Sequence, residues 1–512
     1  PAWSQPRSWT GIANKDATSF TTASYVPSTP GATTAPASEA SVASSSATSP
    51  IKPAQATVAP RPSPWASKHR PSLEAILSDS HKRFAAPLTT PRGLINTGNF
   101  CFANAILQVL VFCAPFYNLF STVGAELSAD FANTTPLMES VVQFLREFHL
   151  ANGGNGSSSR SHHETGAPNG FTPTAAHSEP FVPEFVYEAM RLNKRFDLMR
   201  RGHQEDAEEF LGFFLDTLHE ELLAAIRKSN ARLASTKASS SKQVRGQNGT
   251  APSGGTADGS VDGEGEAGDA EEESREVARP MSPSEEGWLE VGQKGKTAFT
   301  RTASTAGESS PITRIFGGKL RSVLRTPGAK DSVTLEPYQP LQLDIQPSSV
   351  QTVEDALLNL TVPETIPGVF SPARGGPVDA TKQVFIEHLP PVLVLHLKRF
   401  FYDEAAGGVQ KNCKEVGYSD VLKVGGEMVS PVKRAEGAVT YRLFGVVYHH
   451  GRYATGGHYT VDVLRQDGSS WVHFDDTIFH TVAPEHVGRR AGQNLSSFVG
   501  HDGLAYLLFY QR

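Results

Sequence analysis

Cys101 stands where a turn gives way to an apolar segment, in the run GLINTGNFCFANAILQVLV. A cysteine attacks as its thiolate, and the unpaired amides at a helix N-terminus stabilise that anion. The turn formers Asn96, Gly98 and Asn99 come just before it. The pattern therefore predicts that Cys101 opens a helix as a nucleophile would. The alternative is a buried small apolar residue, which describes most cysteines, so Cys101 needs a partner base to become a candidate.

Among 17 histidines, His458 is the best candidate base, in the glycine-rich run HHGRYATGGHYTVDV. It lies where a loop turns into a strand, approachable from the loop side. The next predicted strand, WVHFDD, ends on Asp475 and Asp476, either of which could orient the second ring nitrogen of the base. The side-chain amide of Asn96 could donate to the oxyanion formed when Cys101 attacks a carbonyl. Taken alone, an asparagine in this position is more often a turn residue.

The elements that must position these side chains change character along the chain. Apolar residues recur at helical spacing between Gly93 and Arg227, as in MESVVQFLREFHL and QEDAEEFLGFFLDTLHEELLAAI. Alternating strand-like runs and one short helix follow between Ile312 and Leu360. The segment from Gln383 to Arg512 is rich in strands, such as PVLVLHLKRF and YRLFGVVYHH. Helices first and strands later predict an α+β fold whose two halves pack together.

Low-complexity sequence surrounds and interrupts these blocks. Residues 1–86 are rich in Ser, Thr, Ala and Pro, and we expect a disordered tail there. Two inserts, at about 152–178 and 235–309, lack apolar periodicity and are also expected to be disordered. Long loops cost little extra closure entropy, so one domain over residues 87–512 can carry both inserts.

Composition narrows the class of protein. The net charge of −6 argues against nucleic acid as an electrostatic partner. Three cysteines with no CxxC pair exclude an internal disulfide framework and give no nucleus for a zinc site, which favours a reducing compartment. No apolar run approaches the roughly 20 residues that a membrane helix needs.

The segment GLINTGNFCFANAILQ resembles the cysteine box of the ubiquitin-specific proteases, and YRLFGVVYHHGRYATGGHYTVDV with WVHFDD and AYLLFYQR resembles their histidine box. QEDAEEFL and LPPVLVLHLKRF fall between these boxes in the family's order. Several short motifs in one order are far more specific than any one of them. Within the family, GHQEDAEEFLGF, SSPITRIFGGKLRSV and LQLDIQ are most similar to the ubiquitin-specific protease ten subfamily and its fungal counterparts.

The resemblance implies a papain-like fold of this family's type, with a helical thumb, a β palm and β fingers. It implies Cys101 as nucleophile, His458 as general base, Asp475 as its orienting acid and Asn96 as oxyanion donor. Asp476 stays open as an alternate triad acid. The substrate-binding residues implied for the tail of ubiquitin are Asp206, Glu209, His450, Tyr459 and Gly457.

Exposed acids on the same helix have a plainer interpretation. A solvated helix face is the alternative for Asp206 and Glu209, and it is the preferred interpretation for Glu205, Glu208, Glu220 and Glu221.

The implied activity is thiol-dependent hydrolysis of the isopeptide bond between the C-terminal glycine of ubiquitin and a substrate lysine. The alternatives are a catalytically silent ubiquitin-binding or scaffold protein of the same fold, and the same chemistry on another ubiquitin-like modifier or with an amine in place of water. Ubiquitin and ubiquitinated proteins are the expected partners, along with an RNA-binding scaffold protein that has a nuclear-transport-factor-like domain. Neither nucleic acid, membrane nor cofactor is expected, and the absence of CxxC pairs predicts fingers without zinc, held by packing alone. We expect a cytoplasmic protein, with a nuclear fraction as an alternative.

Overall fold

The structure, a computed structural model, describes residues 72–126, 134–148, 179–197, 199, 204–245, 288–293, 296–302, 308–453, 456–487 and 503–512. The expected disorder of residues 1–71 and of the insert at 152–178 lies outside these residues.

Helices dominate the first half, as the apolar periodicity predicts. The helices are α1 (Leu73–Leu77), α2 (Cys101–Phe112), α3 (Ala114–Glu126), α4 (Pro136–Arg146), α5 (Glu184–Arg191), α6 (Ala207–Arg245), α7 (Pro311–Phe316), α8 (Val353–Leu360) and α9 (Pro484–Val487). Short 3₁₀ turns cover Ser80–Lys82, Lys194–Phe196, Gly426–Met428 and Lys433–Glu436.

Helix α2 is the central helix of the thumb and is buried along its whole length. A helix that is apolar all round belongs inside a core, and α2 packs against the palm strands β12 and β13. Its approach to β12 is so close that a Cβ on Gly445 would lie 2.4 Å from Cγ2 of Val109. Glycine at this position therefore allows the helix carrying Cys101 to lie directly on the sheet carrying His458.

The strands form a finger sheet, a palm sheet and a separate two-stranded ribbon. The finger sheet has the order β1-β2-β4-β3-β7-β6, the palm sheet has the order β15-β14-β13-β12-β16-β8-β5 with β11 also pairing β12, and β9 pairs β10. The strands are β1 (Trp288–Gln293), β2 (Lys296–Thr302), β3 (Gly318–Arg325), β4 (Ser332–Tyr338), β5 (Pro340–Leu343), β6 (Glu364–Ser371), β7 (Gly376–His388), β8 (Val392–Leu397), β9 (Phe400–Asp403), β10 (Gly408–Lys411), β11 (Val421–Val424), β12 (Val439–His450), β13 (His458–Leu464), β14 (Trp471–Asp475), β15 (Ile478–Val482) and β16 (Leu504–Gln511).

The palm sheet is covered on both faces. Successive residues of a strand point to opposite faces, and here Val447 and Leu507 join the thumb core whereas Val446 and Leu508 join a second core behind the sheet. Only residues at the ends of the palm strands, such as the first residue of β13 and the last of β14, are therefore free to reach a substrate.

The finger strands are joined at their far end by a side chain. Ser371 is fully buried and donates its hydroxyl to the carbonyl of Pro327 at 2.9 Å, which links the β6–β7 turn to the β3–β4 turn. None of the chain's three cysteines lies in this sheet. This hydrogen bond therefore joins the two turns at the far end of the finger sheet.

The boundaries of the expected disordered segments need correction. Helix α1 lies within the predicted tail. It forms there because Leu73 and Leu77, one turn apart, are both buried, and because the Ser72 side chain caps the helix by accepting from the N–H of Ala75. Helix α6 continues to Arg245, since no glycine or proline interrupts the chain between Gly212 and Gly246. Strands β1 and β2 also fall within the predicted insert.

Among the described helices, none is by itself long and apolar enough to cross a membrane. The pair α2 and α3 passes the same test of length and composition only as two segments bent by 84° at the break between them.

Candidate active site

Cys101 is the first residue of α2 and is 2% exposed. The turn before it has Gly98 at φ 144° and Asn99 at φ 57°, backbone conformations that glycine and asparagine tolerate best. The side-chain oxygen of Asn96 accepts from the N–H of Gly98 at 3.2 Å and of Phe100 at 2.9 Å. The turn predicted from the sequence is thus built around Asn96, and it delivers Cys101 to the helix start.

His458 begins β13 and contacts both Cys101 and Asp475. Its Nε2 lies 2.6 Å from Oδ1 of Asp475, the last residue of β14, which leaves Nδ1 as the ring nitrogen for Cys101. The hydrogen bond with Cys101, and after it the bond with Asp475, raise the pKa of His458 to about 9 against the effect of burial. The imidazole is therefore protonated at neutral pH and can serve as a proton donor.

Asp476 does not share the hydrogen bond of Asp475 to the base. Its two carboxylate oxygens accept from Nδ2 of Asn96 at 3.0 Å and from Nδ2 of Asn104 at 2.8 Å. The backbone makes this possible, because Asp476 has φ 47° in the turn between β14 and β15 and its carbonyl accepts from the N–H of Leu94 at 2.8 Å. The adjacent acids hence have different partners: Asp475 binds His458, and Asp476 binds two asparagine amides.

Asn104 is a site residue that sequence reasoning missed. It is buried, and its Oδ1 accepts from the hydroxyl of Tyr187 at 2.6 Å while its Nδ2 holds Asp476. The available signal was a polar amide one turn after Cys101 in the otherwise apolar run CFANAILQVLVF. Buried amides on apolar helix faces need partners, and this one fixes Asp476 from the side of the helix.

One group of possible metal ligands stands out in the described part of the chain. Ligand atoms of His458, Asp475 and Asp476 lie within 4.8 Å of one another. Each is already committed to a short hydrogen bond, with His458 paired to Asp475 and with Asp476 paired to two amides. The three side chains therefore bind one another and two asparagine amides.

The loop before His458 is fastened to the start of α6. The backbone N–H of Gly457 donates to Oε1 of Gln204 at 2.8 Å, and the carbonyl of Gly457 accepts from Nε2 of the same side chain. A Cβ on Gly457 would lie 2.3 Å from the carbonyl oxygen of His450, so no side chain fits there. Gln204 is a second residue that the sequence analysis did not single out.

Tyr459 and His450, both implied as channel residues, are anchored differently. Tyr459 is buried with its hydroxyl 3.5 Å from the N–H of Ala207, at the first residue of α6. His450 pairs through Nε2 with the hydroxyl of Thr460 at 2.8 Å, and burial lowers its pKa to about 4. His450 is therefore neutral at pH 7, so it lines the site without adding charge.

Asp206 lies beside these residues at the start of α6. Both of its carboxylate oxygens accept from the hydroxyl of Tyr506, at 2.7 and 2.6 Å, and Oδ1 also accepts from the N–H of Glu208. Burial is the main cause of the raised pKa of Asp206. The Asp206 carboxylate is therefore held in a fixed position by Tyr506 and by the first turn of α6.

The acids around Asp206 form a cluster that we call the α6 acidic cluster: Glu205, Asp206, Glu208 and Glu209. Burial, followed by repulsion from neighbouring carboxylates, raises the pKa of Glu205 and of Glu209 to about 7. No lysine or arginine of the described residues forms an ion pair with these acids, and His396 is 3.9 Å from Glu208. The cluster is therefore suited to a cationic ligand.

The preferred interpretation of the other acids on α6 as a solvated face was wrong for three of them. Glu205 is only 5% exposed and its Oε1 has no hydrogen-bond partner, and Glu208 is half-buried with a pKa raised by burial. Glu221 caps α4 by accepting from the N–H of Leu137 at 3.1 Å and of Met138 at 2.6 Å. Helical periodicity could not reveal these roles because they depend on packing by other elements. Glu220 is exposed as expected.

Comparison with known proteins gives consistent results. Residues 92–510 match the family model described as "Ubiquitin carboxyl-terminal hydrolase". The chain is 43% identical over 425 residues to "Probable ubiquitin carboxyl-terminal hydrolase 3" of Schizosaccharomyces pombe, covering 82% of this chain and 74% of the relative. It is 37% identical over 426 residues to "Ubiquitin carboxyl-terminal hydrolase 10" of Rattus norvegicus, covering 82% of this chain and 48% of the relative. The chain thus spans about half the length of that mammalian relative.

A solved structure shares the fold. The "SAGA Ubp8/Sgf11/Sus1/Sgf73 DUB module bound to ubiquitin aldehyde" matches with a TM-score of 0.52 and 18% identity, over 82% of this chain and 69% of that one. The predicted fold class is confirmed, with a helical lobe packed on a palm sheet from which the finger sheet extends.

Proposed function

Because the chain belongs to the ubiquitin carboxyl-terminal hydrolase family, we propose that it is a thiol-dependent deubiquitinase that hydrolyses the isopeptide bond between the C-terminal glycine of ubiquitin and a substrate lysine. The observation that carries the proposal is the contact of Cys101, at the start of α2, with His458, whose other ring nitrogen lies 2.6 Å from Asp475. These three side chains come from distant parts of the chain, and a nucleophile, a base and an orienting acid are what acyl transfer requires.

The reaction divides into two steps. The thiolate of Cys101 attacks the carbonyl carbon of the terminal glycine, and the C=O electrons move onto oxygen. When the intermediate collapses, the C–N bond breaks and the imidazolium of His458 gives its proton to the departing lysine amine. His458, now neutral, takes a proton from water, whose oxygen attacks the thioester carbonyl. The C–S bond then breaks and restores the Cys101 thiolate and protonated His458.

The oxyanion is stabilised from the turn before α2. One N–H of the Asn96 amide is bound to Asp476, which leaves the other N–H for the developing negative charge. The bond to Asp476 fixes the orientation of the amide, and the bonds to Gly98 and Phe100 fix its oxygen end. Asn96 therefore serves as an oxyanion donor held in place before substrate arrives.

The tail of ubiquitin enters beside the loop that carries Gly457. A tail ending in two glycines has no side chains at its end and fits a narrow channel, which we place beside Gly457 and Tyr459. The α6 acidic cluster, with Asp206 and Glu209 as its predicted contacts, attracts arginine side chains of that tail.

Labelling by ubiquitin with an electrophilic C-terminus tests the activity. The wild-type chain is expected to form one covalent adduct, and Cys101→Ala is expected to form none while still binding ubiquitin. The matched control is Cys113→Ala, because Cys113 is buried twelve residues later in the chain and has no role in the mechanism. Binding without adduct formation by the wild-type chain would instead indicate a catalytically silent ubiquitin-binding protein.

A partner protein other than ubiquitin and the cellular compartment are further proposals. From the subfamily resemblance of the sequence motifs, we propose an RNA-binding scaffold protein with a nuclear-transport-factor-like domain as a partner of this chain. Capture of that scaffold by the full chain, and its loss on deletion of residues 1–71, would support a role for the tail. The free cysteines Cys101, Cys113 and Cys413 support a reducing compartment, for which we propose the cytoplasm with or without a nuclear fraction.

A further inference from the structure

The order of the palm strands places two distinct groups on opposite sides of His458. His458 begins β13. On one side of β13, beyond β12, strand β16 carries Tyr506, whose hydroxyl binds Asp206 of the α6 acidic cluster. On the other side of β13, beyond β14, strand β15 begins with Ile478. Strands lie about 4.8 Å apart, so β16 and β15 each run about 10 Å from β13, on opposite sides of it.

Ile478 is attached to the catalytic acid by the sheet itself. Asp475 and Ile478 are directly paired across the turn formed by Asp476 and Thr477. Side chains of directly paired residues share one face of a sheet and lie about 5 Å apart. Ile478 therefore extends from the face that carries Asp475, and it is 64% exposed.

A second exposed isoleucine lies in the chain segment that runs beside Asp476. Ile95 stands between Leu94, whose N–H donates to the carbonyl of Asp476 at 2.8 Å, and Asn96, whose amide binds the Asp476 carboxylate at 3.0 Å. Ile95 is 36% exposed. A single exposed isoleucine on a protein surface is ordinary, but here one pairs with Asp475 in the sheet and the other lies in the segment that hydrogen-bonds Asp476.

We propose that Ile95 and Ile478 form the surface that receives the polypeptide bearing the modified lysine, and that this surface favours apolar residues next to that lysine. The inference rests on the proposed function. With the ubiquitin tail on the Tyr506 side of His458, the leaving amine and the polypeptide attached to it lie on the Ile478 side. The tail and its acidic contacts thus select ubiquitin, whereas this apolar pair discriminates among the proteins to which ubiquitin is joined.

The test uses two substrates that differ only beside the scissile bond. Ubiquitin is joined by an isopeptide bond to the lysine of a peptide in which either leucines or serines flank that lysine. The wild-type chain is expected to cleave the leucine peptide about three- to tenfold more efficiently in kcat/KM, because burying part of a leucine side chain is favourable. Ile478→Ser and Ile95→Ser are expected to bring this ratio close to one, and Ile478→Leu to preserve it.

Leu192 supplies the matched control, since it is 75% exposed and follows α5, and Leu192→Ser is expected to leave the ratio unchanged. Ubiquitin carrying a small fluorogenic leaving group has no flanking residues and reports on the catalytic residues alone. A wild-type ratio near one, or a ratio that survives both serine substitutions, would overturn the inference. Equal losses on the fluorogenic substrate and on both peptides in Ile478→Ser and in Ile478→Leu would also overturn it, by assigning Ile478 a structural role. A wild-type chain that cleaves none of the three substrates would refute the proposed function instead.

Discussion

Asn96 donates through Nδ2 to Oδ2 of Asp476 at 3.0 Å, so the turn before α2 is joined to the turn after β14. Asp475, one residue earlier, binds His458 at 2.6 Å. The change of direction between the neighbouring carboxylates comes from the backbone, since Asp475 ends a strand and Asp476 has φ 47°. One acid thus binds His458, the base of the proposed mechanism, and the next binds Asn96, its proposed oxyanion donor.

Replacing Asp476 is expected to impair catalysis through Asn96. In Asp476→Ala the amides of Asn96 and Asn104 lose their acceptor. We expect kcat to fall about ten- to a hundredfold, a decrease no larger than the one that follows removal of an oxyanion donor itself. Steady-state kinetics on a fluorogenic ubiquitin substrate measures the effect. Asn96→Ala in combination with Asp476→Ala should add little to either single change. Fully additive losses would show that Asp476 acts elsewhere.

Replacing Asp475 is expected to change the pH dependence of activity. The pKa of His458 is raised to about 9, so in the free enzyme kcat/KM falls as His458 loses its proton above that pH. Asp475→Asn removes a carboxylate that raises this pKa, so the alkaline limb is expected to move to lower pH. The limb should move much less in Asp476→Ala, because Asp476 makes no hydrogen bond to His458. Equal shifts in both variants would contradict the division of roles.

Ubiquitin binding is expected to strengthen between pH 6 and pH 8. Glu209 has its pKa raised to about 7, so its carboxylate becomes ionised over this range and can pair with a cationic tail. With Cys101→Ala as the inert background, the Kd for ubiquitin is expected to fall by up to about tenfold. Glu209→Gln should bind weakly with a smaller pH dependence. Fluorescence polarisation with labelled ubiquitin measures both, and an unchanged pH dependence in Glu209→Gln would contradict the assignment.

Glu205 is expected to reduce stability as the pH rises. Its pKa in the folded protein is raised to about 7 from an ordinary value of 4.5, so folded-state stability falls as the pH increases from about 5 through 7. The free energy of unfolding of Glu205→Gln minus that of wild type is expected to be about 1–3 kcal/mol larger at pH 8 than at pH 5, because wild type alone loses stability over this range. Urea unfolding at both pH values measures this difference. Glu188→Gln on the exposed face of α5 is the control and should show no such trend.

The fingertips are expected to depend on Ser371 and to be indifferent to chelators. Ser371→Ala removes the bond to the Pro327 carbonyl, which contributes about 1 kcal/mol, and hydrogen exchange should increase in the turns at 326–331 and 372–375. The kcat on a fluorogenic ubiquitin substrate is expected to stay the same, because Ser371 lies in the finger sheet, away from Cys101 and His458. EDTA should leave the Tm unchanged in both proteins. A drop in Tm with EDTA would show that a metal stabilises the domain.

The chemistry of the site could be predicted from local sequence. A nucleophile at a helix start requires only a turn followed by an apolar run, and GLINTGNFCFANAILQ contains both. The motif GGHYTVDV likewise predicts a base where a loop meets a strand, and WVHFDD predicts acids at the end of the next strand. Helical and alternating periodicities gave the order of helices and strands for the same reason, because they depend on neighbours along the chain.

The partners of the polar side chains were decided only by the tertiary structure. Nothing in the sequence DD says that the first acid binds His458 and the second binds Asn96 and Asn104, because that depends on a backbone turn with positive φ and on α2 lying against the palm. Glu205 and Glu220 belong to one run of sequence with helical periodicity, yet Glu205 precedes α6 and is buried whereas Glu220 lies in α6 and is exposed. Local sequence determined which groups are present, and long-range packing determined which of them meet, since burial and hydrogen bonding are set by residues hundreds of positions apart.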